Sequence, residues 1–142
     1  MITATRRIQF CSGHRVFGHE GHCRNMHGHN YVAFLTAAAN SRELDGVGRV
    51  VDFSVLKERV GGWIDEKWDH GFIAWVGDAE AVEAVRSVGG SKLFQLPNNP
   101  TAENMADYLL RWVGPLVLAG SGVELVKVVL WETENCHAEV TL

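Results

Sequence analysis

The sequence predicts a single α+β domain over residues 1–142, an antiparallel sheet with helices packed on one side. Three observations point there. Segments of alternating apolar residues open and close the chain. Segments with helical period fill its middle. Long polar loops join strands that follow one another as hairpin-like pairs, in the order strand, strand, helix, helix, strand, strand.

The first strand covers residues 2–16, where Ile8, Phe10, Ser12, His14 and Val16 share a face because side chains alternate. The loop FGHEGHCRNM, with two glycines, leads to a returning strand at 27–39, HGHNYVAFLTAAA. After the polar turn NSRELDGVGR the period changes. Phe53, Leu56, Val60, Trp63, Ile64 and Trp68 recur at helical spacing behind Asp52, a good N-cap. Gly61 and Gly62 each weaken this helix by about 1 kcal/mol relative to alanine. DAEAVEAVRSVGG predicts a shorter helix or turn from Asp78 to Gly89, and KLFQLP a short strand. The second long helix begins in PTAENMADYLLRWV, since Pro100 bars a helix before it and Thr101 can cap the first turn. Residues 123–132, VELVKVVLWE, form the third long strand, and 137–142, HAEVTL, the fourth. Simple alternation puts Val126, Val128 and Leu130 on one face of the third strand and Leu125, Val129 and Trp131 on the other. Both faces are apolar, so helices on one side leave the other for a second subunit, and a homo-oligomer is expected.

Composition narrows the function. A net charge of −4 without a basic stripe is not the footprint of a nucleic-acid binder. No apolar run approaches the roughly 20 residues that cross a bilayer. MITATRRIQF lacks the apolar core of an export signal. Cys11, Cys23 and Cys136 are odd in number and scattered, as expected of reduced thiols in the cytoplasm.

The stretch GHCRNMHGHNY, residues 21–31, concentrates the chemistry. His27 and His29 lie two apart on a strand and so share a face, with Cα atoms roughly 6–7 Å apart. His14 ends the preceding strand, across the loop from His27, and is placed to join them. Three neutral imidazoles with an open fourth position describe a catalytic Zn2+ site, and nitrogen ligation disfavours magnesium and calcium. Cys23, four residues before His27, either closes that site as a fourth ligand or acts beside it as a reactive thiol. Asp69 and His70 either form a carboxylate–imidazole pair or simply end a helix favourably. Glu132 ends an apolar strand face, where it either grips a ligand with two parallel N–H donors or emerges into water. Glu103 and Asn104 fall in a first helical turn, where capping and dipole compensation account for them.

The segments FCSGHRV, CRNMHGHNY, GRVVDFSVLK, WDHGF, PTAEN and LWET, in this order, span almost the whole chain. Together they resemble the 6-pyruvoyl-tetrahydropterin synthase family, most closely its bacterial branch, the 6-carboxy-5,6,7,8-tetrahydropterin synthases of queuosine biosynthesis. The resemblance implies a tunnelling fold: a four-stranded antiparallel sheet with two helices on one face, joined between subunits into a barrel of trimers or hexamers. It implies zinc on His14, His27 and His29, with Cys23, Asp69 and His70 as catalytic groups. It further implies a pterin ring gripped by Glu132 in a pocket shaped by Thr101 and Glu103. The implied substrate is 7,8-dihydroneopterin triphosphate, and the implied reaction is that of a lyase releasing triphosphate and acetaldehyde. Its alternatives are the pyruvoyl-forming reaction or a non-catalytic zinc or pterin-binding module. Arg15, Arg24 and Lys57 are candidate cations for the triphosphate. Two departures are local: SGH stands where the family reads AAH, and DHGFIAWVGD lacks the asparagine usual shortly after DH.

Overall fold

A computed structural model describes residues 1–142. Strands β1 (Ala4–His14) and β2 (His27–Ala39) form the central ladder. Helix α1 (residues 53–67), β3 (Gly71–Trp75), α2 (Ala79–Arg86) and β4 (Leu93–Leu96) follow. Helix α3 (residues 102–117), β5 (Val123–Thr133) and β6 (Cys136–Thr141) complete the chain.

The sheet has six strands in the order β4-β3-β1-β2-β5-β6. β1, β2, β5 and β6 are antiparallel neighbours, while β3 pairs parallel with β1 and β4 parallel with β3. The expected four-stranded antiparallel sheet is therefore the larger part of a mixed one. The difference arises at GFIAW, a short apolar run after α1, which pairs along the β1 edge at Ser12↔Gly71 and His14↔Ile73.

Helices α1 and α3 share the inner face of the sheet. Ile8, Phe10, Ala33, Leu35, Val128 and Leu130 meet Leu56, Val60, Ile64, Met105, Leu109 and Val113 in one buried cluster. Each such side chain, removed from water, adds about 1.5–3 kcal/mol. Gly61 has a steric reason to be in α1: a Cβ there would lie 3.0 Å from Ile8 Cδ1, so glycine lets the helix settle onto β1. Both long helices widen into a π turn, at Leu56–Gly61 and Leu109–Val113. The short α2 is a third helix, and it packs elsewhere. Ile73 and Leu96 join the main core, whereas Ala74, with Phe72 and Leu93, packs against Ala81 and Val82 of α2. Because strand side chains alternate, α2 covers the opposite face of the β3–β4 wing.

The simple alternation expected along β5 does not hold. Thr36 pairs with Lys127 and Ala37 with Leu125, so Val126 is an extra residue in a β-bulge. Leu125 consequently turns into the core with Val128 and Leu130, while Val126 does not. No helix is long and apolar enough to cross a membrane.

Candidate metal centre and adjoining cleft

At one end of the β1–β2 ladder the inner face changes from apolar to imidazole. His14 lies directly opposite His27, and Ser12 opposite His29. His27 and His29 point the same way by alternation, and His14 joins them across the ladder. The three ring centroids lie 4.6–5.1 Å apart. The sequence expectation that these rings converge holds.

Glu132 completes the group: ligand atoms of His14, His27, His29 and Glu132 all lie within 4.8 Å of one another. Its Oε1 is 2.8 Å from His29 Nε2 and 3.6 Å from His14 Nε2. The sequence foresaw Glu132 as a ligand grip and not as a neighbour of the imidazoles.

The donor set fits a metal ion. The His14 Nδ1 contacts Pro100 O at 2.7 Å and the His27 Nδ1 contacts Asn25 O at 2.6 Å. A carbonyl only accepts, so both Nδ1 atoms carry the proton, and both Nε2 atoms are bare lone pairs. Those two Nε2 atoms stand 3.1 Å apart. Two lone pairs at that separation repel unless a cation lies between them. The His29 Nε2 is buried, and its approach to Glu132 lacks hydrogen-bond alignment, leaving it without a partner. Burial holds the His29 pKa below its ordinary value; the Glu132 charge opposes this, and His14 and His27 reinforce it. His29 is thus neutral, as a metal ligand must be.

Thr101 and Glu103 sit beside this group. The Thr101 Oγ1 accepts the Asn104 backbone N–H at 3.1 Å, capping α3 as expected. Glu103 and Glu132 both line a cavity of about 280 Å³ with Ala102, Cys136, His137, Ala138 and Glu139. A larger hollow of about 430 Å³, at Leu110, Pro115 and Leu118, belongs to the far end of the sheet and holds none of the candidate residues.

Asp69 and His70 form the pair that the sequence left open. The His70 Nδ1–H donates to Asp69 Oδ2 at 2.8 Å, and the Cys11 N–H donates to Asp69 Oδ1 at 2.9 Å. Lys92 Nζ donates to the Asp69 carbonyl at 2.6 Å. Burial would raise the Asp69 pKa, but the hydrogen bonds from Cys11 and His70, with the Lys92 charge, outweigh it and hold the carboxyl low. His70 has φ of 57°, the left-handed region, and an 81% exposed side chain. A strained, exposed imidazole held by a fixed carboxylate is a feature of functional sites. His70 lines a cleft of about 330 Å³ with Cys11, Gly13, Gly28, His29 and Asn30. His29 thus links this cleft to the imidazole group.

Cys23 lies in a single 3-10 turn, His22–Arg24, half-buried and outside the group of mutually close ligand atoms. Within one chain the thiol beside Asp69 and His70 is Cys11, a residue the sequence did not single out. Its Sγ–H donates to Asn30 Oδ1 at 2.9 Å. Of the candidate phosphate cations, Arg15 is committed elsewhere. It binds Asp78 through Nε at 2.7 Å and Nη2 at 2.6 Å, and Glu80 through Nη1 at 3.0 Å. The carbonyls of Pro100 and Asn25 escaped sequence reasoning because every residue carries one.

An α+β sheet with three imidazoles and a carboxylate gathered at one end of its central hairpin defines a protein with a group able to hold a metal ion set beside two clefts. Residues 3–142 match the family model described as 6-pyruvoyl tetrahydropterin synthase, and the chain belongs to that family. It is 42% identical over 140 residues to the 6-carboxy-5,6,7,8-tetrahydropterin synthase of Rickettsia bellii, covering 99% of this chain and 100% of that one. It is 37% identical over 124 residues to the protein of the same name from Aquifex aeolicus, covering 82% and 74% respectively. Among solved structures, the uncharacterized protein WS1659 of Wolinella succinogenes superposes with a TM-score of 0.79 at 26% identity, covering 99% of this chain and 97% of that one. The 6-pyruvoyl tetrahydropterin synthase of Caenorhabditis elegans has the same fold, with a TM-score of 0.72 at 23% identity over 99% of this chain and 95% of that one.

Proposed function

We propose that the protein is a zinc-dependent lyase that converts 7,8-dihydroneopterin triphosphate to 6-carboxy-tetrahydropterin, releasing triphosphate and acetaldehyde. The observation that carries this reading is the group of His14, His27, His29 and Glu132, with ligand atoms within 4.8 Å of one another. The names of full-length relatives at about 40% identity support the product, a 6-carboxy-tetrahydropterin.

His14, His27 and His29 would hold the zinc ion, which when bound acidifies the hydroxyl-bearing side chain of the substrate. The remaining steps belong to the chain. Glu132 borders both the imidazoles and the 280 Å³ cavity, so its carboxylate can accept the amino and ring N–H donors of a pterin lodged there. Glu103 lines that cavity, and Thr101 helps to shape it from the adjoining α3 cap. Cys23 removes a carbon-bound proton as its thiolate. Asp69 fixes the proton of His70 on Nδ1, which leaves Nε2 free to accept and return a second proton.

A homo-oligomer of the tunnelling type, as trimer or hexamer, is part of the same reading. Val32, Phe34, Val129 and Trp131 lie on the sheet face that α1 and α3 do not cover and are only half-buried in the single chain. A cytoplasmic location accords with the free state of all three cysteines.

The reading is tested by incubating zinc-loaded protein with 7,8-dihydroneopterin triphosphate and identifying products by mass spectrometry. Acetaldehyde with a 6-carboxypterin supports it. A pyruvoyl pterin without acetaldehyde replaces it with the pyruvoyl-forming reaction, and absence of turnover points to a binding module. The Cys23→Ala variant is expected to keep its zinc and lose turnover by about 10²–10⁴-fold, the usual yield of a proton-transfer group. Loss of zinc in that variant would make Cys23 a ligand instead.

A further inference from the structure

Tyr31 is a polar side chain of the core, beside the imidazoles, that the proposed chemistry leaves unused. It is fully buried, at 0% exposure, and its hydroxyl has no hydrogen-bond partner. A buried donor without an acceptor is a standing cost, and native proteins rarely leave one unexplained. The ring cannot turn away to find another acceptor, because Phe10 stacks on it with centroids 5.0 Å apart and planes at 12°. It lies 5.5 Å from the His29 ring and 6.0 Å from the His14 ring, directly under the metal group. The β2–β5 register pairs Ala33 with Leu130 and Val32 with Trp131. One step further along the same ladder, Glu132 falls beside Tyr31, and both face inward.

We infer that Tyr31 is a positioning residue whose buried O–H holds the Glu132 carboxylate once a metal ion occupies the imidazoles. Glu132 Oε1 lies 2.8 Å from His29 Nε2, an approach without hydrogen-bond alignment. An ion that takes the His29 lone pair ends that contact as a stable arrangement for Glu132. The nearest inward-facing neighbour across the ladder is then the tyrosine, and a carboxylate with two oxygens can accept from it while facing the ring cavity.

The inference rests on the metal half of the proposed function and is independent of the pterin half. Its test therefore uses zinc alone. In the metal-free protein, Tyr31→Phe is expected to melt at the same temperature or higher, since an orphaned group is removed. Its zinc affinity, measured by competition with a chelating dye, is expected to fall about ten-fold, within the 10–100-fold range for groups that orient a metal site from outside it. In a Glu132→Ala background the same substitution should leave zinc affinity unchanged, because the group it positions is gone. A lower melting temperature for metal-free Tyr31→Phe would overturn the inference, as would equal zinc affinity with and without the hydroxyl. Zinc binding by His29→Ala protein as tight as the parent's would instead overturn the metal reading beneath it.

Discussion

One hairpin has two ends with opposite characters. β1 and β2 pair without a break from Ala4↔Ala37 to His14↔His27. Toward Ala37 the inner face carries Ile8, Ala33 and Leu35, all in the helix-packed core. Toward His27 the same face carries His14 and His29, and the nearest carboxylate is 2.8 Å from an imidazole. The change occurs at the pair Phe10↔Tyr31 and the next residue on that face, Ser12. A single backbone geometry thus serves both purposes. The apolar end supplies folding energy, and the imidazole end places groups against one another that would repel without an ion. The cost of the second end is met by the first.

Four substitutions separate the two ends. The largest effect is expected for His29→Ala, which should lower zinc affinity more than about 100-fold, beyond the range for outer residues of metal sites. Competition titration against a zinc dye measures this, and undiminished affinity would place the ion elsewhere. Next is Leu35→Ala at the apolar end, a fully buried residue, which should cost 2–5 kcal/mol, on the order known for buried leucines, in urea denaturation. Its folded fraction should bind zinc within about twofold of the parent, as distant independent sites do. A large loss of zinc affinity there would show that the ends are not separable.

Asp69→Asn gives a smaller effect with a defined pH dependence. The folded carboxyl lies below its ordinary 3.8, so the stability it adds is complete above that value and is lost as the pH falls through the lower folded one. The variant should be less stable than the parent by about 1.5 kcal/mol at pH 7, typical of a hydrogen-bonded charged group. The gap should close in melts of metal-free protein at acid pH below 3.8. A gap that stays constant would assign the loss to packing. Thr101→Ala should have the smallest effect, about 1 kcal/mol from the lost α3 cap, visible as a lower melting temperature.

Much of this was written in the sequence. Period-two and helical patterns located β1, β2, the two long helices, β5 and β6, because each buries one face along its length. The spacing of His27 and His29 placed two imidazoles together for the same reason. KLFQLP was legible as the short strand β4, but β3 and the parallel pairing of the two were hidden. GFIAW is too short to show a period, and its partner is a distant edge of β1. The nearness of Glu132 to the imidazoles was also hidden, since it depends on β5 lying beside β2. The carbonyls of Pro100 and Asn25 leave no mark in a sequence at all.

The bulge at Val126 has a consequence for how this strand tolerates change in length. Val123 and Glu132 are separated by an odd number of steps, yet both must look inward, one to fill the core and the other to reach the imidazoles. In an unbroken strand odd separations look in opposite directions, so the surplus residue corrects the parity. Losing the surplus residue itself would leave an unbroken strand of even separation with both side chains still inward, whereas losing one residue with the bulge kept would swing either the hydrophobic anchor or the carboxylate outward. A single deletion in β5 should therefore be survivable where it removes the bulge and ruinous where the bulge remains.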